Sequence, residues 1–321
     1  MDDQDIKIIK GGLIKTDRKL TMDFIHGGDI QGDLIKKSIE EISKVSNRIS
    51  IRIKKDRDRQ DSTLIVMPNL MIKAELKGKI LEMLFGICDE MVVNKLSKYK
   101  EVLKNIKAPL FLKLYVVRSC PHCPRVVKDM SSLAIANSNI HIEIIDGLFY
   151  PEKAENDQIK SAPTLVFNNN FRWVGQVQIP DVVEVLTNVD PANLSSRSIQ
   201  TMIEAGNATA VAEQMLEKGI VFDSLFELLL NENWSIRLGA MVVAEEIGHC
   251  NKQMADHIID ELWNRFDIVG DTLKGDIVYL TGEIGSTIYI EKLQAIMQQN
   301  PGSELMDALN DSMELLRDRI E

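Results

Sequence analysis

The chain has 321 residues, of which 45% are hydrophobic, and a formal net charge of −10. This length predicts two or three domains, and the hydrophobic content is sufficient for a core in each. No segment approaches the roughly 18 uninterrupted apolar residues of a membrane span, so we expect no membrane partner. The acidic start, over residues 1–5, is unlike the basic start of a secretory signal, so we expect a cytoplasmic protein.

The charge is distributed unevenly along the chain. Residues 1–108 carry 22 basic and 17 acidic side chains, residues 109–188 carry 7 and 8, and residues 189–321 carry 9 and 23. This asymmetry predicts separate modules. The acidic last third argues against a nucleic-acid partner, because nucleic acids bind basic surfaces.

The first hundred residues predict a small α/β unit. Ile49, Ile51 and Ile53 alternate with polar residues, which is the period of a half-buried strand. Apolar residues over 34–45 recur at helical spacing. In chain order, the predicted elements are a strand over 19–25, a helix over 32–46, strands over 49–53, 62–67 and 71–76, and a helix over 80–91.

The sequence Cys120-Pro121-His122-Cys123 lies between a predicted strand over 111–117 and a predicted helix. At such a junction the first sulfur sits at a helix N-terminus, where backbone N–H groups and the helix dipole favour a thiolate. The second sulfur is one turn away and can attack a mixed disulfide formed by the first. The motif therefore predicts a redox-active dithiol, and its alternatives are two structural cysteines or half of a metal site.

The middle of the chain repeats the order of strands and helices found in the first hundred residues. Aligning the two copies places Gly28 and Gln31 where the second copy has its two cysteines, and Ser62 where it has Pro163. An internal repeat changes the predicted fold as a whole and not only a single element. We therefore expect a tandem of related units, of which the first has lost its thiols.

The second copy resembles the thioredoxin and glutaredoxin fold, in which the Cys-x-x-Cys motif is followed by a helix, a strand and then a strand headed by proline. Ala162-Pro163-Thr164 matches that last strand. In this family the proline is cis and lies against the dithiol. The resemblance implies that Pro121, Ala162, Pro163 and Thr164 bind the partner chain. It also implies a catalytic pair that cycles between dithiol and disulfide, with no bound cofactor and no metal.

An inactive unit followed by an active one is similar to the N-terminal domain of the bacterial alkyl hydroperoxide reductase flavoproteins and to the archaeal-type protein disulfide oxidoreductases. Two features depart from thioredoxins proper. Leu114 stands where they carry a buried acid that helps to deprotonate the second thiol, and no tryptophan precedes Cys120. The glutaredoxin-like variant therefore fits better.

Order along the chain predicts the roles of the site residues. Cys120 is expected to be the exposed nucleophile and Cys123 the buried resolving thiol. A protonatable His122 beside a thiolate stabilises the reduced form and so predicts a reduction potential above that of thioredoxin. The competing interpretation is that His122 only covers the loop in solvent.

After about residue 190 the strand signals give way to helical periodicity. Glu246-Ile247-Gly248 recurs as Glu283-Ile284-Gly285, 37 residues later, within the range of two-helix solenoid repeats. This region resembles HEAT repeats, which present surfaces to other proteins. We expect a basic face on the partner. His249, Cys250 and His257 match no standard zinc spacing, so an interhelix loop is the favoured interpretation there.

Together these patterns predict an α/β fold of two thioredoxin-like units plus an all-α, HEAT-like domain, with boundaries at 1–107, 108–190 and 191–321. The predicted function is a protein dithiol-disulfide oxidoreductase, with the helical repeats as a docking adaptor. One alternative is an electron relay, fed by a flavoprotein reductase and serving a peroxidase or a single target. The other is a non-enzymatic scaffold whose dithiol senses redox state or holds a metal.

Overall fold

A computed structural model describes residues 1–14, 20–56, 61–87, 99–168 and 171–319. The chain forms two compact units, Met1–Val189 and Asp190–Glu321. The first is an α/β unit, and the described residues of the second form helices and turns without a strand. None of the helices in these ranges combines the length and apolar character that a bilayer crossing requires. The predicted boundary at residue 107 stays a prediction.

The first unit contains two copies of one strand and helix order, preceded by an extra helix. Its elements are α1 (Asp3–Ile14), β1 (Leu20–His26), α2 (Ile30–Val45), β2 (Ile49–Lys55), β3 (Thr63–Met67), β4 (Leu70–Lys73), α3 (Lys79–Ile87), α4 (Lys100–Leu103), β5 (Leu110–Val116), α5 (Cys123–Ala136), β6 (Ile140–Asp146), α6 (Pro151–Asn156), β7 (Thr164–Phe167), β8 (Phe171–Val174) and α7 (Ile179–Thr187). Cys88 and the predicted end of the 80–91 helix lie outside the described residues.

Helix α1 is absent from the predicted elements. Two adjacent glycines make it a weak helix by intrinsic propensity. Tertiary contacts stabilise it, since it packs against α3. Gly12 lies so close to Phe85 that a Cβ would come within 2.7 Å of that side chain, and the Asp5 carboxylate accepts a hydrogen bond from the Gly78 N–H at 2.7 Å.

The two copies share one eight-stranded sheet, with the order β2-β1-β3-β4-β6-β5-β7-β8. The copies join where β4 runs parallel to β6, pairing Leu70 with Ile142 and Ile72 with Ile144. All four of these side chains are buried. Side chains alternate along a strand, so these four apolar residues share one face, while the other face pairs Met71 with Glu143 and Lys73 with Ile145.

Polar side chains reinforce the junction between the copies. Lys73 on β4 is buried and pairs with Glu143 on β6 at 2.9 Å and with Asp61 at 3.0 Å. Burial alone would lower the pKa of this lysine, but the two carboxylates raise it. A lysine buried with two anionic partners keeps its charge, so the junction is electrostatically satisfied.

Strand direction determines where the functional side chains lie. β1, β4, β5 and β6 are mutually parallel, either directly or through the antiparallel β3. Their carboxyl ends therefore meet at one edge of the sheet. The segments that follow these four strands, including the dithiol motif after β5, lie along that edge.

The second unit is built from α8 (Ser196–Glu204), α9 (Ala208–Lys218), α10 (Asp223–Leu229), α11 (Trp234–Cys250), α12 (Lys252–Trp263), α13 (Asp271–Ile284), α14 (Ile290–Met297) and α15 (Ser303–Asp318). Helix α11 packs against α13, and α13 packs against α15. A Cβ at Gly282 would lie 2.8 Å from Ser312, so the glycine permits the close approach of α13 to α15.

The predicted interhelix loop over residues 249–257 is wrong. His249 and Cys250 form the last turn of α11, and His257 lies within α12. Asn251 alone separates the two helices, and its side-chain oxygen accepts the Met254 N–H at 3.1 Å. A capping asparagine thus replaces a loop because it satisfies the first turn of the next helix directly.

Candidate active site

The dithiol lies where β5 ends and α5 begins. Cys123 is the first residue of α5 and is fully buried, whereas Cys120 is 7% exposed. The expectation of an exposed Cys120 is therefore wrong, since both thiols of the pair are buried. The accessible edge of Cys120 is still the part of the pair that a partner can reach.

Two backbone groups contact the Cys120 sulfur. The Cys123 N–H donates to it at 3.1 Å, and the sulfur lies 3.6 Å from the carbonyl oxygen of Ala162. The first contact comes from the N-terminal turn of α5, where the first backbone N–H groups of a helix have no intrahelical partner. Such an N–H and the helix dipole stabilise a negative sulfur.

The segment over residues 162–164 lies beside Cys120. The peptide bond between Ala162 and Pro163 is cis, and Thr164 begins strand β7 directly after it. The Pro163 carbonyl oxygen accepts a hydrogen bond from the Gly175 N–H at 2.9 Å. Gly175 has φ of +79°, a conformation that favours glycine, and a Cβ there would meet open space. Gly175 was not predicted as a site residue from the sequence, although a glycine directly after the β7–β8 hairpin is a turn signal.

Pro121 and His122 are exposed at the mouth of this site. His122 is the residue before α5, and its ring makes no capping hydrogen bond to the helix. The structure brings Cys120, Cys123, Ala162 and the two exposed residues to one end of the sheet. Their roles in catalysis and partner binding stay predictions.

The environment of Cys123 strongly favours its neutral thiol. Burial is the main cause, and the Cys120 side chain and the charge of Asp146 add to it, so that the pKa of Cys123 is raised to about 12. A thiol with this pKa is almost entirely protonated at neutral pH. Attack by Cys123 therefore requires a nearby group that accepts its proton.

The charge of one buried carboxyl, Asp146, acts on this thiol. It ends β6, is fully buried, and its Oδ1 accepts the Leu148 N–H at 3.0 Å. Within the described ranges no hydrogen-bond donor reaches its Oδ2, and the nearest cation is Arg118, whose Nε lies at 3.6 Å. Burial raises the pKa of Asp146 above its ordinary value. An unsatisfied buried carboxyl oxygen is uncommon and indicates a functional group.

Asp146 was not predicted from the sequence, because thioredoxins proper carry their buried acid at the position where this chain has Leu114. Leu114 is indeed buried and apolar. A signal was present, since the alternating strand over 140–144 is followed by Asp146-Gly147, at the carboxyl end of a central strand. Without the tertiary structure, that aspartate could not be distinguished from an ordinary turn residue.

The first copy contributes to this site. Glu75 follows β4 and accepts a hydrogen bond from Arg118 Nη1 at 2.9 Å, while Lys77 lies 2.6 Å from its other oxygen. Arg118 precedes Cys120 by two residues. The copy without thiols thus holds the arginine that faces Asp146.

The corresponding edge of the first copy is closed by hydrogen bonds. The Ser62 hydroxyl bonds to Asp29 Oδ1 and accepts the Gly27 N–H at 2.9 Å. A Cβ at Gly32 would overlap that hydroxyl. Tyr150 of the second copy donates to the Ser62 carbonyl oxygen at 3.2 Å. Ser62, which aligns with Pro163, is therefore part of a polar cluster. Gly28 and Gln31, which align with the two cysteines, border this cluster.

Within the described residues, no group of three or more His, Cys, Asp or Glu side chains has the arrangement of a metal site. Cys250 is exposed with a free thiol. Cys120 and Cys123 are likewise free thiols in this structure.

The first unit is similar to known proteins in sequence. Residues 112–188 match the protein family described as a thioredoxin domain. The chain is 31% identical over 90 residues to the AhpF subunit of the alkyl hydroperoxide reductase of Pseudomonas aeruginosa, and 24% identical over 200 residues to that of Xanthomonas campestris pv. phaseoli. These alignments cover 28% and 57% of this chain but 17% and 37% of the relatives, so the chain spans a minor part of them.

Among solved structures, a protein disulfide oxidoreductase from Aeropyrum pernix K1 is similar with a TM-score of 0.51 and 14% identity, over 58% of this chain and 92% of that one. At this identity the similarity concerns the fold. The chain thus has a thioredoxin-like α/β region followed by a helical region.

Proposed function

We propose that this chain is a protein dithiol-disulfide oxidoreductase whose reacting pair is Cys120 and Cys123. The observation that carries the proposal is the position of the Cys120 sulfur, which accepts a helix N-terminal N–H and lies 3.6 Å from the carbonyl oxygen of Ala162, the residue before Pro163. The match of residues 112–188 to a thioredoxin domain supports it.

The proposed reaction is two successive thiol-disulfide exchanges. The Cys120 thiolate attacks one sulfur of a partner disulfide, forming a mixed disulfide and releasing a partner thiolate, which takes a proton. Cys123 then loses its proton and attacks the Cys120 sulfur, which releases the second partner thiolate. Two electrons pass from the dithiol to the partner, and Cys120 and Cys123 end as a disulfide.

Asp146 is the proposed proton acceptor for Cys123. It is the buried carboxyl whose charge acts on that thiol, and its free Oδ2 can take a proton without breaking an existing hydrogen bond. Arg118 and Glu75 act through Asp146 as positioning residues. His122 is proposed to favour the thiolate of Cys120, so that the protein is more oxidising than thioredoxin.

The helical unit is proposed to be a HEAT-like adaptor that docks the partner, and the protein to act in the cytoplasm. The packing of α11 against α13 and of α13 against α15 supports a repeating array. The recurrence of Glu-Ile-Gly 37 residues apart supports it as well.

Insulin reduction by dithiothreitol tests the enzymatic proposal. The wild-type chain should accelerate the reaction, Cys120→Ser should reduce the rate to the uncatalysed level, and Cys250→Ser should leave it unchanged. Cys123→Ala should accumulate a mixed disulfide that captures partner proteins. Equal turnover by wild type and Cys120→Ser would instead favour a non-enzymatic scaffold.

A second candidate is an electron relay between a flavoprotein reductase and a peroxidase or a single target. The observation that favours it is the similarity to the AhpF subunits of alkyl hydroperoxide reductases. Reduction of the Cys120–Cys123 disulfide by a purified flavoprotein reductase, at a rate far above that with glutathione, would support the relay. A broad set of proteins trapped by Cys123→Ala would contradict it.

A further inference from the structure

Helices α11 and α13 present apolar side chains to solvent along one face. Trp234, Leu238 and Val242 recur every fourth residue on α11 and are between 40% and 58% exposed. Tyr279 on α13 is 41% exposed, and its hydroxyl donates to Glu245 of α11 at 3.1 Å. These five residues form one continuous surface, which we call the α11/α13 face.

The exposure of this face is not required by the packing of the helices. The opposite side of α11 already buries the unit's core residues Ala240, Val243, Ala244 and Ile247. A surface helix with a buried apolar side normally has a polar outer side. Apolar residues on both sides of α11 therefore indicate a second surface that becomes covered.

A glycine on α13 supports the same conclusion. Three helical glycines of this unit are explained by packing, since a Cβ at Gly239, Gly248 or Gly282 would collide with a side chain of a neighbouring helix. A Cβ at Gly275 would meet nothing. Glycine in a helix interior is destabilising relative to alanine. Gly275 lies one turn before Tyr279, where it lets another backbone approach α13 closely.

The charge around the face is negative. Glu245 bonds to Tyr279, and the burial of this tyrosine together with the charges of Glu245 and Glu283 raises its pKa to about 12. Arg237, the cation on α11, is buried and bonded to Asp276 at 2.6 Å, so it adds little positive charge to the surface. Residues 189–321 carry 9 basic and 23 acidic side chains.

We propose that the α11/α13 face docks a basic amphipathic segment of the partner protein. Apolar side chains of that segment would cover Trp234, Leu238 and Val242, its backbone would pass Gly275, and its lysines or arginines would face Glu245 and Glu283. A second copy of this chain is disfavoured as the occupant because it would bring a unit of the same negative charge. This inference rests on the proposed docking role of the helical unit.

A fluorescent peptide tests the proposal on the full chain. The probe contains leucine at helical spacing and lysine on its other face, and a scrambled peptide of the same composition has the same charge without an apolar face. At physiological ionic strength the wild type should bind the amphipathic peptide more tightly than the scrambled one. The double variant Trp234→Ala, Leu238→Ala should weaken binding at least about tenfold.

The matched control is Ile220→Ala, Ile288→Ala, which removes two exposed apolar side chains from elsewhere in the unit. It should bind as the wild type does, and Glu245→Gln, Glu283→Gln should bind more weakly with a smaller salt dependence. Equal binding of both peptides, or equal loss in the Trp234, Leu238 variant and the control, would overturn the proposal. So would a wild-type dimer in sedimentation that the Trp234, Leu238 variant abolishes, because a second copy would then occupy the face.

Insulin reduction by the same variants separates this inference from the proposed enzyme. Both apolar double variants should retain thiol exchange, and Cys120→Ser should retain peptide binding. Absence of selective peptide binding with exchange intact would overturn the docking face alone. Absence of exchange with binding intact would overturn the enzyme alone.

Discussion

The two copies in the first unit place different chemistry on equivalent positions of one sheet edge. After β5, the Cys120 sulfur lies 3.6 Å from the carbonyl oxygen of Ala162, which precedes β7. After β1, Asp29 bonds to Ser62, which precedes β3. The strands match, so the difference arises from a few side chains at their ends.

The copy without thiols still contributes to the site in the other copy. Its strand β4 continues the sheet through β6, and Glu75 at the end of that strand holds Arg118. Arg118 in turn faces Asp146 beside the dithiol. The first copy thus supplies support and electrostatics, while the second supplies the two sulfurs that are proposed to react, and substitutions in each copy can test this division.

The largest effect is expected from Asp146→Asn, which removes the proposed proton acceptor and keeps an oxygen for the Leu148 N–H. After dithiobis(nitrobenzoate) has modified Cys120, attack by Cys123 releases a coloured thiolate whose appearance gives the rate. In the wild type this rate should rise with pH as Asp146 ionises. The variant should be slower at neutral pH by on the order of 10²-fold.

Asp181→Asn is the control for Asp146→Asn, because Asp181 is an exposed carboxylate of the same unit. It should leave the rate unchanged. A rate for Asp146→Asn within twofold of the wild type would contradict the role of Asp146 in proton transfer.

The stability of Asp146→Asn should rise at neutral pH, although its reaction rate should fall. Because the folded-state pKa of Asp146 is raised, its contribution to folding is present at low pH and is lost as pH rises through that pKa. Asp146→Asn should therefore raise the melting temperature at neutral pH relative to the wild type, and the gain should shrink under acid conditions. Thermal unfolding followed by circular dichroism across this pH range measures it, and a variant that is less stable at neutral pH would contradict the sign.

In the first copy, Gly32→Ala should reduce stability without affecting exchange. The added Cβ would overlap the Ser62 hydroxyl, and overpacking of this kind costs roughly 1–3 kcal/mol. Urea unfolding gives the free energy. Gly86→Ala on α3 is the control, since a Cβ there meets open space and should be neutral or stabilising. Loss of insulin reduction by folded Gly32→Ala would show that the polar cluster is part of the active site.

A smaller effect is expected from Glu75→Gln. The charge of Glu75 raises the pKa of Asp146, so its removal should move the pH profile of thiolate release to lower pH. Because Arg118 is partly exposed, the rate should change by less than about fivefold. Glu82→Gln, an exposed acid on α3, should leave the profile in place. An unshifted pH profile in Glu75→Gln would show that the first copy does not affect the electrostatics of the site.

The smallest effect is expected at His122. An exposed cation beside a thiolate contributes about 0.2–1 kcal/mol, which for a two-electron couple corresponds to roughly 4–20 mV. His122→Gly should lower the reduction potential by this amount in a titration against glutathione. Arg125→Gly, which removes an exposed cation from the same helix, should have less effect. An unchanged potential in His122→Gly would favour the interpretation that the ring only covers the loop.

Much of the first unit could be predicted from short-range patterns. Alternation over 49–53 and 140–144 marks β2 and β6, and helical spacing marks α2 and α3, because burial on one side imposes the period of each element. Helix α1 could not be predicted, since contacts with distant residues such as Phe85 stabilise its glycine-containing sequence. The one-residue separation of α11 and α12 at Asn251 could not be predicted either.

The sequence by itself determined that Cys120 and Cys123 lie at a strand-to-helix junction, that a thiol-less copy precedes them, and that the chain ends in an acidic helical region. Local chemistry and period suffice for these conclusions. Only the tertiary structure joined β4 to β6, and thereby placed Glu75, Arg118 and Asp146 around the dithiol. Pairing between distant strands leaves no trace in local spacing, so the sheet decided which buried carboxyl lies at the same edge as the dithiol.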